Sequence, residues 1–238
     1  MTPKLLLDFI NKEGNVLLTL TGKSATPSAI SSLLLELDIH LSSDRSTLVV
    51  DHFHHDTITA KDQHDVILVS RPGPLRPDVR PIFAGDGVLA FPRSVGHSLG
   101  SNNPLLAPII RASETAYTYN PKDDSGTVEE GFATGTQLAI VSAMQALNSA
   151  RFTVLGSAES LEDKWFSAEV KGPDDKKQVA TSNRDFAKQL SAWTFKETGV
   201  VKVNSIQHYL TDEYGDIIGD VNPAIYRIKN DVVSWYSL

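Results

Sequence analysis

Apolar residues fall in short runs along this chain, and the spacing inside each run separates helix from strand. The opening run predicts a helix with Thr2 as its cap, Pro3 at the first position, Leu5 and Phe9 on its apolar face, and Gly14 at its end. Residues 16–20 then read as a strand. Thr26-Pro27 opens a second helix whose face carries Ile30, Leu33, Leu34 and Leu37. Two brief buried strands follow at 48–50 and 66–69, the latter closed by the turn residues of "RPGPLRP". Short apolar strands alternating with helices predict an α/β layer architecture with mostly parallel pairing.

Between 82 and 120 the pattern loosens into glycine- and proline-rich turns. Here "NPLLAPIIRAS" predicts a brief helix, residues 115–119 a short strand, and 123–126 a surface loop. Residues 137–144 and 152–155 predict two strands joined through Asn148-Ser149. A helix competes for the first, because Ala, Leu, Met and Gln favour helices. The clearest helix spans 183–198. Ser182 caps it with Asp185 three residues on, Phe186, Leu190 and Trp193 form one stripe, and Gly199 ends it. Beyond it, "VVKVNSIQHYL" and "YRIKNDVVSWYSL" alternate like β-strands.

With 41% apolar and 21% charged residues over 238 positions, the chain has the composition of a domain that buries its own core. A net charge of −7 argues against a nucleic-acid surface, and the basic pair Lys176-Lys177 is offset by Asp174-Asp175. With no cysteine, disulfides, thiolate metal sites and cysteine nucleophiles are excluded. No apolar stretch approaches the roughly 20 residues of a membrane span. The opening run, broken by Asp8, does not read as a signal peptide. No Asn-x-Ser/Thr acceptor is present.

The densest chemistry is "VVDHFHHD". In an extended backbone His52 and His54 share a face with Asp56, and two imidazoles and a carboxylate can bind zinc. The spacing matches no zinc motif. The reading preferred here is the polar end of a buried strand, where Asp51 and the imidazoles satisfy nearby backbone groups. "GDGVLA" formally fits the dinucleotide pattern GxGxxG/A, but it runs into an apolar strand instead of a helix. "GHSLG" fits the nucleophile elbow, with His97 beside Ser98. Its flanks supply neither the preceding strand nor the following helix, and His208 is the one histidine downstream. "GSAES" lacks the second glycine and reads as a strand end that caps a helix. Trp193 belongs to the core stripe, while Trp165, Trp235 and Tyr236 are spread out and nothing in their spacing supports a carbohydrate platform. An α/β hydrolase or metal-dependent enzyme using Ser98 or the His52/His54 cluster remains the alternative reading.

Several segments also form an ordered series: "LLLDFINKEGNVLLTLTG", "VVDHFHHD", "SNNPLLAPIIRASETAYTYNP", "LNSARFTVLGSAESLEDKWF" and "NRDFAKQLSAWTFKETGVVKVNSIQHY". The Asp-His pair after a strand, the Asn-Pro-Leu, the Asn-x-Ala-Arg turn and the Trp-x-Phe-Lys-Glu-x-Gly-Val helix end come in a characteristic order. Together they resemble the family of the 48-kilodalton (wheat-germ-agglutinin-binding) subunit of the eukaryotic oligosaccharyltransferase complex, over nearly the whole chain.

The resemblance implies a GIFT-type α/β domain, similar in layout to flavodoxin and the class I amidotransferases, over residues 1–199. That domain would lack its N-terminal strand–helix units, and residues 200–238 would begin a β-rich domain that is truncated here. It implies a non-catalytic accessory or scaffold subunit in protein N-linked glycosylation, on the lumenal face of the endoplasmic reticulum membrane. No cofactor, metal or catalytic residue is implied. The implied partners are the catalytic subunit and other membrane subunits, including ribophorin-type and defender-against-cell-death-type subunits. Nucleic acid is not among them, and membrane association would run through a C-terminal anchor absent from this chain.

Overall fold

The computed structural model describes residues 2–44, 46–73, 82–101, 103–120, 132–199, 209–211 and 217–220. Its contacts divide the chain into two compact units, Met1–Gly199 and Val200–Leu238. In chain order the first unit carries α1 (Pro3–Asn11), β1 (Val16–Thr19), α2 (Ser28–Glu36), β2 (Ile39–Leu41), β3 (Leu48–Val50), β4 (Val66–Ser70), β5 (Val88–Pro92) and β6 (His97–Leu99). There follow β7 (Leu106–Arg111), β8 (Tyr117–Tyr119), β9 (Ala139–Gln145), β10 (Arg151–Leu155), α3 (Asp163–Phe166), β11 (Glu169–Val170), β12 (Val179–Ala180) and α4 (Asn183–Thr194). In the second unit, β13 (Tyr209–Thr211) pairs antiparallel with β14 (Ile217–Asp220).

The main sheet runs β1-β10-β9-β6-β2, with β7 also paired to β9. Its two faces follow the period of two in β10. Phe152 and Val154 face one cluster with Ile10, Leu33, Leu34, Ile39 and Met144, beneath α1 and α2. Leu155 joins Val49, Ile67, Leu89, Phe91, Ile140, Phe186 and Leu190 on the α4 side, where Thr153 Oγ1 and Thr194 Oγ1 also meet at 2.8 Å. A third cluster holds Trp165 with Ala60, Val66, Ala90 and Val170.

The expectation of mostly parallel pairing is corrected. Only β1 and β10 pair in parallel among the named strands, while β9 runs antiparallel to β10, β6 and β7. The β9–β10 connection is a hairpin, with Ser149 at φ 67 in its turn, and a hairpin reverses direction by construction. The helix expected in "NPLLAPIIRAS" is strand β7. Pairing with β9 overrides its local propensity, and the register shifts between Pro108 and Ile110 place the proline at an irregularity that a sheet tolerates.

Helix ends also depart from expectation. Thr2 caps α1 as predicted, its Oγ1 accepting from Leu5 N. Leu5 and Phe9 nevertheless stand 59% and 50% exposed, and Ile10 is the residue buried. Apolar residues cover too much of this short helix for all of them to face α2, and packing selects the Leu6–Ile10 side. Glu13, not Gly14, takes the left-handed turn at φ 65. Gly14 makes room for the Phe9 ring, which a Cβ would meet at 2.3 Å. Helix α4 stops at Thr194, with Lys196 left-handed at φ 62. Ser182 makes no side-chain cap there; its hydroxyl donates to Asp86 O at 3.0 Å. The stripe of Phe186, Leu190 and Trp193 is buried as predicted.

Candidate functional site

Strand β3 is buried throughout, and the chain leaves it through Asp51, which is 1% exposed. A carboxylate at such a point must find donors. Asp51 Oδ1 accepts from Phe53 N at 2.8 Å, His54 N at 3.1 Å and Thr115 Oγ1 at 2.8 Å. Oδ2 accepts from Ser113 Oγ and lies 3.2 Å from His54 Nδ1. Burial by itself would raise the carboxyl pKa. Hydrogen bonds from Ser113, Phe53 N, Thr115 and His54 N outweigh it, and the net shift is downward.

The predicted His52–His54–Asp56 face does not form, because the backbone after Val50 bends instead of continuing as a strand. His54 turns to Asp51 and Thr115. Asp56 is fully buried and holds the next turn, accepting from Ile58 N, Thr59 N and Thr59 Oγ1 and from Lys171 N at 3.0 Å. His52 turns to His64, the residue that linear spacing misses. Their Nδ1 atoms are in contact, and His52 Nε2 lies 2.8 Å from Tyr117 Oη. His55, 5% exposed, stacks on His64 with ring centroids 3.9 Å apart. Burial first, then the neighbouring His64, depresses the His55 pKa. Among the described residues, no three histidine, aspartate or glutamate side chains converge as a metal-binding group.

The alternative that uses Ser98 as a nucleophile finds no elbow, in line with what its flanks predict. Ser98 sits in the middle of β6, paired across to His40 of β2, so no strand-to-helix turn presents its hydroxyl. His97 is fully buried, its Nε2 bonded to Ser142 Oγ at 2.8 Å. Burial lowers its pKa to about 4, so it is neutral at physiological pH. His208 lies outside the described residues. "GDGVLA" is strand β5 after the turn, as its apolar run predicts. Gly87 is required by φ 102 and by Ser182 Oγ, which a Cβ would meet at 2.2 Å. In "GSAES", Ser157 Oγ donates to Pro92 O and Ser160 Oγ to Ser157 O. Trp165 and Trp193 are both buried; Trp235 and Tyr236 lie outside the described residues. A shallow, mostly apolar groove of about 500 Å³ beside β1 is lined by Leu17, Leu161, Phe166 and Leu190 among others, and none of the candidate histidines or Ser98 reaches it.

The motif residues share another pattern: their polar atoms close helix ends. Asn103 Nδ2 donates to Leu37 O at the end of α2, and its own N–H to Asp38 Oδ2. Asn148 Nδ2 donates to Ile10 O and Asn11 O at the end of α1, at 2.8 and 3.2 Å. Arg151, 2% exposed, donates to Trp193 O in the last turn of α4 and to Thr198 O and Gly199 O beyond it, and lies 4.6 Å over the Trp193 ring. Bonds of this kind support the end of a helix, where carbonyls run short of intrahelical partners, although Trp193 O and Ile10 O also accept from Lys196 N and Glu13 N. An arginine next to an apolar strand was the available signal for the last of them. Its targets, more than forty positions on, were not legible.

Residues 1–197 match the family described as "OST48, N-terminal domain". The Dolichyl-diphosphooligosaccharide–protein glycosyltransferase subunit wbp1 of Schizosaccharomyces pombe is 31% identical over 236 residues, covering 98% of this chain and 49% of that protein. The 48 kDa subunit of the same name from Arabidopsis thaliana is 28% identical, over 96% of this chain and 50% of its own length. The chain thus spans about half the length of the curated relatives it matches. In fold it is similar to a solved structure described as the mmIFT52 N-terminal domain, at a TM-score of 0.53 and 17% identity, over 84% of this chain and 72% of the other.

Proposed function

This chain belongs to the OST48 N-terminal domain family, and from that premise we propose that it serves as a non-catalytic scaffold part of the oligosaccharyltransferase complex. That complex transfers a dolichol-linked glycan to asparagine of nascent proteins. The observation that carries the reading is how the motif side chains are used. Asp51 holds a loop and two hydroxyls, while Asn103, Asn148 and Arg151 close the ends of α2, α1 and α4. The signature of the family is spent on shape, which is what a subunit that presents surfaces to partners requires.

The proposal extends to place and company. The protein works at the lumenal face of the endoplasmic reticulum membrane, beside the catalytic subunit and the ribophorin-type and defender-against-cell-death-type subunits. The names of its relatives as subunits of one glycosyltransferase support membership in such an assembly. No helix among the described residues is long and apolar enough to cross a membrane. The GIFT-type layout is part of the proposal, supported by a central sheet with α1 and α2 on one face and α4 on the other.

The test begins with a tag on the gene at its own locus and purification from detergent-solubilised membranes. Recovery of the catalytic glycosyltransferase subunit is expected; a tagged product that never brings it down overturns the reading. In the same cells, His52→Gln, His54→Gln and Ser98→Ala leave glycan occupancy of reporter asparagines unchanged. Loss of glycan transfer by a variant that folds and assembles normally would overturn the non-catalytic part.

A further inference from the structure

Asp56 ends the loop after β3 and starts a turn that brings His64 back against it. Ala60 N bonds Asp56 O at 3.1 Å and His64 N bonds Ala60 O at 3.0 Å, while His64 itself sits at φ 52. Three imidazoles meet there. His55 stacks on His64 at 3.9 Å, and His52 meets the His64 edge with centroids 4.6 Å apart and planes at 83°. The backbone joins the same two segments, since Asp51 N donates to His64 O at 3.3 Å.

The contacts fix the tautomers. His64 Nε2 lies 2.9 Å from Lys61 O, a carbonyl that can only accept, so this nitrogen carries the proton. In neutral His64, Nδ1 is then an acceptor, and His52 Nδ1–H donates to it. His52 Nε2 is left to accept from the Tyr117 hydroxyl at 2.8 Å. One neutral arrangement satisfies every contact in the chain from Tyr117 to Lys61.

A first added proton can enter at His52 Nε2 without loss, because the Tyr117 hydroxyl turns and accepts instead of donating. The His52–His64 bond becomes charge-assisted. A second proton has no such place. On His64 Nδ1 it would face the His52 Nδ1–H and put two charges on rings 4.6 Å apart. On His55 it would charge a buried ring stacked on His64.

We propose that His52, His55 and His64 form a one-proton latch between the loop after β3 and the turn before β4. It tightens on the first proton and releases on the second.

The groups around the latch do not offset a second charge. Asp51 is engaged by Ser113, Thr115 and His54, and Asp56 by its turn. On the turn, Lys61 supplies its carbonyl to His64, and among the described residues neither Asp62 nor Asp65 forms an ion pair with the imidazoles. From β8, Tyr117 stays a neutral hydroxyl, since burial and then Tyr119 raise its pKa.

The test is an NMR titration of the histidine ring protons on the protein purified from its own cells, with signals assigned by single His→Gln variants. The cluster is expected to take up its protons in two separated steps, each ring signal reporting both of them. Hydrogen-exchange protection of the Asp51 amide should fall roughly tenfold with the second step, as one pKa unit of linkage gives. His64→Gln removes the second step and its loss of protection; His52→Gln, at an exposed position, gives the same result should the first variant not fold. Three independent single-step curves, or a two-step curve that survives both variants, would overturn the latch. The outcome does not depend on whether the protein joins the glycosyltransferase complex.

Discussion

Replacing Arg151 by methionine tests the idea that the family motif is architectural. The side chain is 2% exposed and sends one guanidinium to three backbone carbonyls, with Thr198 O at 2.8 Å, Gly199 O at 2.6 Å and Trp193 O. Its Nε also lies 3.3 Å from Gln145 Oε1. Hydrogen bonds to a charged donor contribute about 1.5–3 kcal/mol each, so three give roughly 4–9 kcal/mol. Against that stands the desolvation of a cation with no carboxylate among its described partners, a cost of several kcal/mol. Trp193 O also keeps the Lys196 amide at 3.1 Å when the arginine is gone. The net loss is about 3 kcal/mol, or a melting temperature lower by roughly 6–12 °C for a domain of this size. Urea unfolding followed by tryptophan fluorescence reads it directly, because Trp193 lies under the guanidinium. The midpoint should fall with an unchanged slope. Arg151→Lys should recover less than half, since a single ammonium cannot serve the same fork of carbonyls. A loss below about 1 kcal/mol for methionine, or full recovery by lysine, would refute the reasoning.

Other substitutions probe different links. His97 is neutral in the fold with a pKa lowered to about 4 by burial, against about 6.5 unfolded. Its contribution is therefore intact above about pH 6.5 and is lost as pH falls toward 4, by up to about 3 kcal/mol at 1.36 per unit. His97→Gln should flatten that part of the stability–pH curve, and an equally steep variant curve would contradict the assignment. Gly87→Ala forces a side chain onto φ 102 and into Ser182 Oγ. A loss of about 2 kcal/mol or more is expected in thermal unfolding, and a neutral result would mean that the turn is free to relax. Ser98→Ala should change stability by less than about 0.5 kcal/mol; any esterase turnover that it abolished in the purified protein would restore the nucleophile reading.

Much of the local structure was legible in the sequence. The apolar runs, helped at α1 by the Thr2 cap, placed α1, α2, α4, β1, β3, β4, β9 and β10 close to where they form, because each signal acts within a few residues. The ordered motifs identified the family without any coordinates, since chemistry such as Asn-x-Ala-Arg is written in the chain itself. The polar-end reading of Asp51 also followed from its place after a buried run.

Tertiary structure decided what depends on distant neighbours. Strand direction was one such matter: a hairpin between β9 and β10 and the pairing of β7 with β9 overrode the parallel expectation and the helix propensity of "NPLLAPIIRAS". The face of α1 was another, for both of its sides are apolar and only packing against α2 chose between them. His64 reached His52 across a turn that no periodicity encodes, and Ser113 and Thr115 came to Asp51 from more than sixty positions away. The physical reason is common to all of these. Capping and amphipathicity are energies of neighbours along the chain, whereas a buried carboxylate, a helix end or an imidazole is satisfied by whichever donor or acceptor the packed fold brings within about 3 Å.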